Sequence, residues 1–184
     1  MNLAYLSILE QPQGLRGGLL LIDQSGLPLD FLYTDPVTPT RIQRALYGPT
    51  LDFHLRTRVI GQTLLGELKQ EFGLLVVSEP CLLTLGTPQH PAIILRRSDA
   101  QPLGGAGDLK EIRQSTYLVQ TTDLGSPLEM EVREGTDRGA VETIARTLTQ
   151  LGALLDLVEP LERIERVMRL LDSEASGEAR RDNG

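Results

Sequence analysis

GGLLLIDQSGLPLDFLYT (residues 17–34) followed by PTRIQRALYGPTLDFHLRTR (residues 39–58) joins two apolar runs to an arginine-rich segment. Residues 19–22 and 27–33 are mostly apolar or aromatic, and Asp23-Gln24-Ser25-Gly26 between them supplies turn residues, so the stretch predicts a β-hairpin. The second part sets Arg41, Arg44, Arg56 and Arg58 against one acid, Asp52.

Upstream, residues 3–9 read as a first strand. Residues 11–18, rich in Gly and Pro, read as its connection, which makes a meander of three strands. Downstream, Thr38 and Pro39 predict an N-cap and first helical residue, with a short helix running to Leu46 and stopped by Tyr47-Gly48-Pro49. A longer helix follows over about residues 50–71, capped by Thr50, with Leu51, Leu55, Val59, Leu64, Leu65 and Leu68 at helical spacing. Gly61 and Gly66 interrupt it where another element is expected to approach closely. Residues 74–77 and 92–95 are continuous apolar strands, and residues 79–86 between them fit a helical turn or another strand. Residues 98–108 form a linker, and strands are expected at 117–121 and 128–132.

The last third predicts two helices in a hairpin. Asp137 caps the first, whose stripe is Val141, Ile144, Leu148, Leu151 and Leu155. Pro160 opens the second, with Leu161, Ile164, Val167, Met168 and Leu171 inward. Glu162 with Arg166 and Glu165 with Arg169 stand at acid-first i,i+4 spacing. The fold class is therefore α+β or mixed α/β: a mixed sheet beginning with an N-terminal hairpin or meander, packed by central helices and a C-terminal helical hairpin. Residues 1–172 form one domain, with a helical subregion at 136–172 and a flexible tail at 173–184.

Composition narrows the function classes. The core is aliphatic, with 35 Leu against three Phe, four Tyr and no Trp, so platforms for stacking bases are scarce. A net charge of -7 argues against a general attraction to nucleic acid. The single Cys81 cannot close an intramolecular disulfide, which suits a cytoplasmic protein, and no apolar run is long enough to span a bilayer.

Arg41 and Arg44, three apart, share one face of the short helix and with Arg56 and Arg58 form a candidate binding patch for an anion or an acidic partner, although Arg56 and Arg58 diverge on an ideal helix. Cys81 and His90 could act together only if the chain folded His90 back onto the thiol. Cys81 is more simply a small core residue, and His90 a loop residue. Two histidines, His54 and His90, and one cysteine lack zinc-ligand spacing, so no metal, cofactor or catalytic residue is assigned. LGGAGD (residues 103–108) lacks the ending of a P-loop, and Glu129 and Glu131 alternate with Met130 and Val132 as the wet face of an edge strand.

In the order of elements over residues 17–97, the chain is similar to the roadblock and longin families of small adaptor domains. The lack of a chemical constellation, together with surfaces suited to association at a sheet edge and the C-terminal helical pair, predicts a noncatalytic protein-interaction, adaptor or scaffold module, with a protein partner or a second copy of the chain. The alternatives are a small cytosolic hydrolase or transferase, or a regulatory domain binding an anionic metabolite near Arg41 and Arg44.

Overall fold

The computed structural model describes residues 1–181, with side chains through residue 174. Among the described residues, eight strands form one sheet: β1 (Leu3–Gln11), β2 (Gly14–Ile22), β3 (Pro28–Tyr33), β4 (Leu74–Val77), β5 (Ala92–Arg97), β6 (Leu109–Arg113), β7 (Thr116–Val119) and β8 (Leu128–Val132), in the order β3-β2-β1-β4-β5-β8-β7-β6. The central β1, β4 and β5 run parallel, while β2 and β3 on one side and β8, β7 and β6 on the other are antiparallel. This is the expected mixed sheet opening with a meander. Helix α1 (Arg41–Tyr47) is followed by a long helix whose ends are α2 (Leu51–His54) and α3 (Gln62–Glu67), and α4 (Arg138–Gly152) and α5 (Glu159–Arg181) make the C-terminal pair. The stretch read as a tail thus begins inside α5, and residues 182–184 lie outside the described residues.

The central strands are apolar on both faces because each face carries its own helical layer. Leu3 and Tyr5 of β1 and Leu20 and Ile22 of β2 face Val141, Leu148, Ile164 and Met168 of α4 and α5. Ala4, Leu6, Leu19 and Leu21 face Leu51, Leu55, Ile60 and Leu64 of the long helix. Tyr5 carries its hydroxyl into the first core, where it donates to Leu157 O at 3.1 Å, and burial pushes its pKa up.

Gly17 and Gly18 let both layers reach β2. A Cβ at Gly17 would collide with Ile60 on one face, and one at Gly18 would lie 2.6 Å from Ile164 Cγ2 on the other. Gly17→Ala is expected to cost about 1–3 kcal/mol by overpacking, read as a lower urea midpoint with an unchanged slope. An unchanged midpoint would mean that Ile60 yields freely. Gly61 has its expected reason too, since a Cβ there would lie 2.6 Å from Leu85 Cδ1, whereas Gly66 faces open space.

Several local expectations shift. The connection between β1 and β2 shrinks to Pro12-Gln13, because Gly14 through Gly18 pair along β1. The cap of α1 is Thr40, not Thr38: Gln43 N donates to Thr40 Oγ1 at 3.2 Å and Thr40 N to Gln43 Oε1 at 2.8 Å, a reciprocal capping box. Thr38 instead donates to Gln13 O. Thr50 caps nothing, since a 3-10 turn over Gly48–Thr50 leads straight into α2. The long helix ends at Glu67 rather than near residue 71. Residues Pro80–Leu85 take the helical alternative. Strand β6, charged and exposed, carries no apolar alternation by which the sequence would mark it. Strand β8 lies inside the sheet, so Glu129 and Glu131 belong to an uncovered face rather than an edge, where they take Arg96 and Arg113. Of the two spaced pairs on α5, Glu165–Arg169 forms at 3.5 Å, while Glu162 turns to Arg97 at 2.7 Å.

Candidate functional site

In an open α/β sheet the carboxyl ends of parallel strands gather loops that can converge on a ligand. Here the ends of β1 and β4 bring Glu10 and Glu79 to the side of the long helix, and that helix supplies Asp52 and Arg56. Arg56 Nε donates to both oxygens of Asp52 at 2.9 Å, Nη1 donates to Glu79 at 3.0 and 3.1 Å, and Nη2 lies 3.7 Å from Glu10 Oε2. Three carboxylates from three elements therefore surround one guanidinium.

The backbone explains why Arg56 turns inward while Arg58 stays exposed. Leu55–Gly61 is π-helical, with Gln62 N donating to Thr57 O, and this wider turn faces Leu55, Thr57, Ile60 and Gly61 to the core. Burial pushes the Glu79 carboxyl up, against the pull of Arg56 in the opposite direction. Burial alone would depress Arg56, but Asp52 and Glu79 hold it above its ordinary value. The sequence reading missed Glu10 and Glu79 as partners because they lie 46 and 23 residues from Arg56. The Asp52–Arg56 spacing was the one visible signal.

Beside this cluster, a groove of about 510 Å³ runs between the β1–β2 turn and the α1–α2 corner, lined among others by Glu10, Leu15, Thr38, Arg44 and Asp52. Helix α1 buries none of its residues, leaving Ile42 71% and Leu46 78% exposed. The rings of Tyr47 and His54 lie 4.6 Å apart across the corner, and Phe53 is also exposed. Arg41, Arg44 and Arg58 are all exposed and, among the described residues, form no ion pair. Of the four arginines read as a patch, Arg56 belongs instead to the carboxylate cluster.

Cys81 and His90 each have surroundings of their own. His90 Nδ1 lies 2.7 Å from Phe72 O and its ring packs against that of Phe72 at a tilt of 41°, while Cys81 is half-buried with its thiol pushed up by burial, then by the charge of Glu79. In LGGAGD, Gly105 N donates to Asp108, Ala106 N to Asp123 and Gly107 N to Gln120 O, so these amides are engaged within the loop and its neighbours. Among the described residues, no group of three His, Cys, Asp or Glu side chains is disposed to hold a metal. No described helix is long and apolar enough to cross a membrane.

The three-stranded antiparallel meander, the parallel β4 and β5 beside it and helices on both faces make this an RNase H-like fold. The chain is similar in structure to endonuclease V from Streptomyces avermitilis, with a TM-score of 0.60 at 15% identity over 96% of this chain and 83% of that one. Endonuclease V from Bacillus subtilis gives 0.55 at 11% identity with the same coverage. An Argonaute from Marinitoga piezophila, in complex with guide RNA, gives 0.46 at 12% identity over 90% of this chain and 29% of that one. No protein-family model and no curated protein sequence matches. The expectation of an adaptor or scaffold module falls with the endonuclease V likeness. The roadblock and longin resemblance rested on the order of elements over residues 17–97, and that order leaves open how β6, β7 and β8 extend the sheet.

Proposed function

We propose that this chain is a nucleic-acid-binding domain on an RNase H-like frame, with its contact face at α1, α2 and the adjoining groove. The observation that carries the reading is the exposed Arg41 and Arg44 of α1, without an ion pair among the described residues, on the same corner as the exposed Tyr47 and Phe53, with Arg58 exposed further along the long helix, on a frame similar to that of endonuclease V. Arginine supplies bidentate phosphate contacts, and exposed rings give bases a surface to stack on, which favours single strands.

The net charge of -7 counts less against this than it does in the sequence alone. Arg16, Arg56, Arg96, Arg97, Arg113, Arg138, Arg163 and Arg169 are held by the protein's own acids, whereas Arg41 and Arg44 stand three apart on one short helix, where a local positive field can form against the overall charge. The reading is binding rather than cleavage. Metal-assisted phosphodiester hydrolysis needs carboxylates converging on a cation, and Glu10, Asp52 and Glu79 converge on the guanidinium of Arg56, a set that does not fit a metal. A cytoplasmic location agrees with the single thiol.

Fluorescence anisotropy with a labelled single-stranded DNA oligonucleotide tests the reading. Binding is expected at about 50 mM salt, weakening steeply toward about 200 mM. The Arg41→Gln/Arg44→Gln variant is expected to bind about tenfold more weakly at the lower salt, with an unchanged melting temperature. No binding at low salt, or binding indifferent to the double substitution, would overturn it. Cut strands appearing on incubation with Mg²⁺ or Mn²⁺ would overturn the binding-only part.

A further inference from the structure

On the opposite face of the same strand ends lies a second polar group that the groove does not use. Strand alternation puts Ser7 of β1 on the side of Leu3 and Tyr5, facing α5, and Arg16 of β2 pairs with Leu9 on that side. Ser78 N donates to Leu6 O at 3.1 Å, extending the parallel ladder so that Ser78 stands beside Ser7. Above them runs α5, whose Ile164 and Met168 fill the space over Gly18 and whose Asp172 pairs with Arg16 Nη1 at 3.0 Å.

Ser7 is 1% exposed, Arg16 6%. Yet Ser7 Oγ, Ser78 Oγ and Arg16 Nε are buried with no hydrogen-bond partner among the described residues. A buried polar atom left unpaired costs about 1–3 kcal/mol, and native cores rarely keep one without a reason. Here three donors from three adjacent strands are kept together. Two hydroxyls and a guanidinium edge are a donor set suited to an oxyanion.

We propose that Ser7, Ser78 and Arg16 form a phosphate seat that α5 closes, with the Asp172 carboxylate resting on Arg16 where a phosphate oxygen would otherwise bind. The proposal rests on the nucleic-acid reading for the source of the phosphate, and it adds an autoinhibitory contact to it. Backbone phosphate reaches the seat when the end of α5 lifts. Glu10 and Leu15 line the groove, while Leu9 and Arg16, their neighbours along the same strands, look into the seat, so one strand could follow both faces of this edge.

The test compares the whole chain with Asp172→Asn, Asp172→Asn/Ser7→Ala and Glu165→Gln. Two probes are used: inorganic phosphate followed by calorimetry and the labelled oligonucleotide followed by anisotropy. Asp172→Asn is expected to bind both at least about fivefold more tightly than the unaltered chain, and adding Ser7→Ala is expected to remove the gain. Glu165→Gln changes the charge of α5 equally and is expected to bring no gain, which separates the seat from a general loss of repulsion. A cooperative Asp172→Asn protein that binds neither probe more tightly, or a gain that survives Ser7→Ala, overturns the seat.

If Asp172→Asn fails to fold, Ser7→Ala alone decides. Weaker oligonucleotide binding at undiminished stability supports the seat, and unchanged binding overturns it. Oligonucleotide binding that depends on Arg41 and Arg44 without any Asp172→Asn gain sinks the seat and leaves the nucleic-acid reading standing. A phosphate gain with no oligonucleotide binding by any variant does the reverse, making the seat one for free phosphate.

Discussion

Replacing Arg16 with leucine is expected to lower the unfolding free energy by about 3–5 kcal/mol, the usual cost of removing one partner from a buried ion pair. The side chains of Arg16 and Asp172 are only 7% and 12% exposed, and the pair joins β2 to the distant end of α5. Leucine removes the Arg16 guanidinium that helps offset the lost hydration of the Asp172 carboxylate beneath the helix. The double variant Arg16→Leu/Asp172→Leu removes both charges, and such exchanges are often neutral or stabilising. Urea unfolding of the wild type, both single variants and the double variant closes a thermodynamic cycle that isolates the pair. A loss below about 1 kcal/mol in Arg16→Leu would mean that Ile164 and Met168 hold α5 to the sheet without help from the charges.

Arg56→Gln is expected to cost about 2–3 kcal/mol at neutral pH, less than a fully buried pair would because Asp52 and Glu10 reach solvent. Its pH dependence is the sharper signature. Glu79 already titrates above its ordinary 4.5 because burial penalises the ionised carboxylate, and Arg56 is the group that pulls it back down. Without Arg56 the folded-state pKa climbs further. A carboxyl whose folded pKa exceeds its unfolded value contributes stability below the unfolded pKa and loses it as pH rises through the folded one. The deficit of Arg56→Gln relative to wild type should therefore be small near pH 4 and grow toward neutrality. Glu79→Gln in the same background should flatten the profile. A deficit independent of pH would show that packing of the arginine stem, rather than its charge, holds the cluster together.

Much of the frame is legible in the residues themselves. The turn at Asp23-Gln24-Ser25-Gly26 works as its composition suggests, with Asp23 Oδ1 accepting from the backbone of Ser25 and Leu27. The carboxyl of Asp23 is held low by these bonds, the Ser25 hydroxyl first. Asp137 caps α4 through Gly139 and Ala140, and Val141, Ile144, Leu148 and Leu151 of the apolar stripe behind it are buried, whereas Leu155 lies past the end of the helix and is half-buried. These features are local, decided within a few residues by turn chemistry and periodicity. Strand β6 escaped because an exposed edge strand needs no apolar face, and Thr40 was passed over for Thr38 because both precede a plausible first turn.

The site was far less legible. Arg41 and Arg44 stand out in the sequence and are exposed in the fold, but nothing local separates them from Arg56, which faces inward, or from Arg16, which is buried under a helix that begins 143 residues later. Net charge is blind to this difference because it adds paired and unpaired groups alike. Only the pairing pattern distinguishes the arginines neutralised by the chain's own acids from those free to meet a ligand.

By itself the sequence determined most of the elements: three opening strands, an arginine-bearing pair of helices, central apolar strands, and a C-terminal helical pair whose first helix is capped by Asp137. Their periodicity and turn residues act over a few positions, where chain connectivity already supplies the neighbours. The tertiary structure alone decided which strands lie side by side, and hence that Glu10, Asp52 and Glu79 meet at Arg56 and that Ser7, Ser78 and Arg16 meet under Asp172. Those meetings depend on strand order and on which face each residue turns to, and both are settled by burying two apolar layers at once rather than by any local rule.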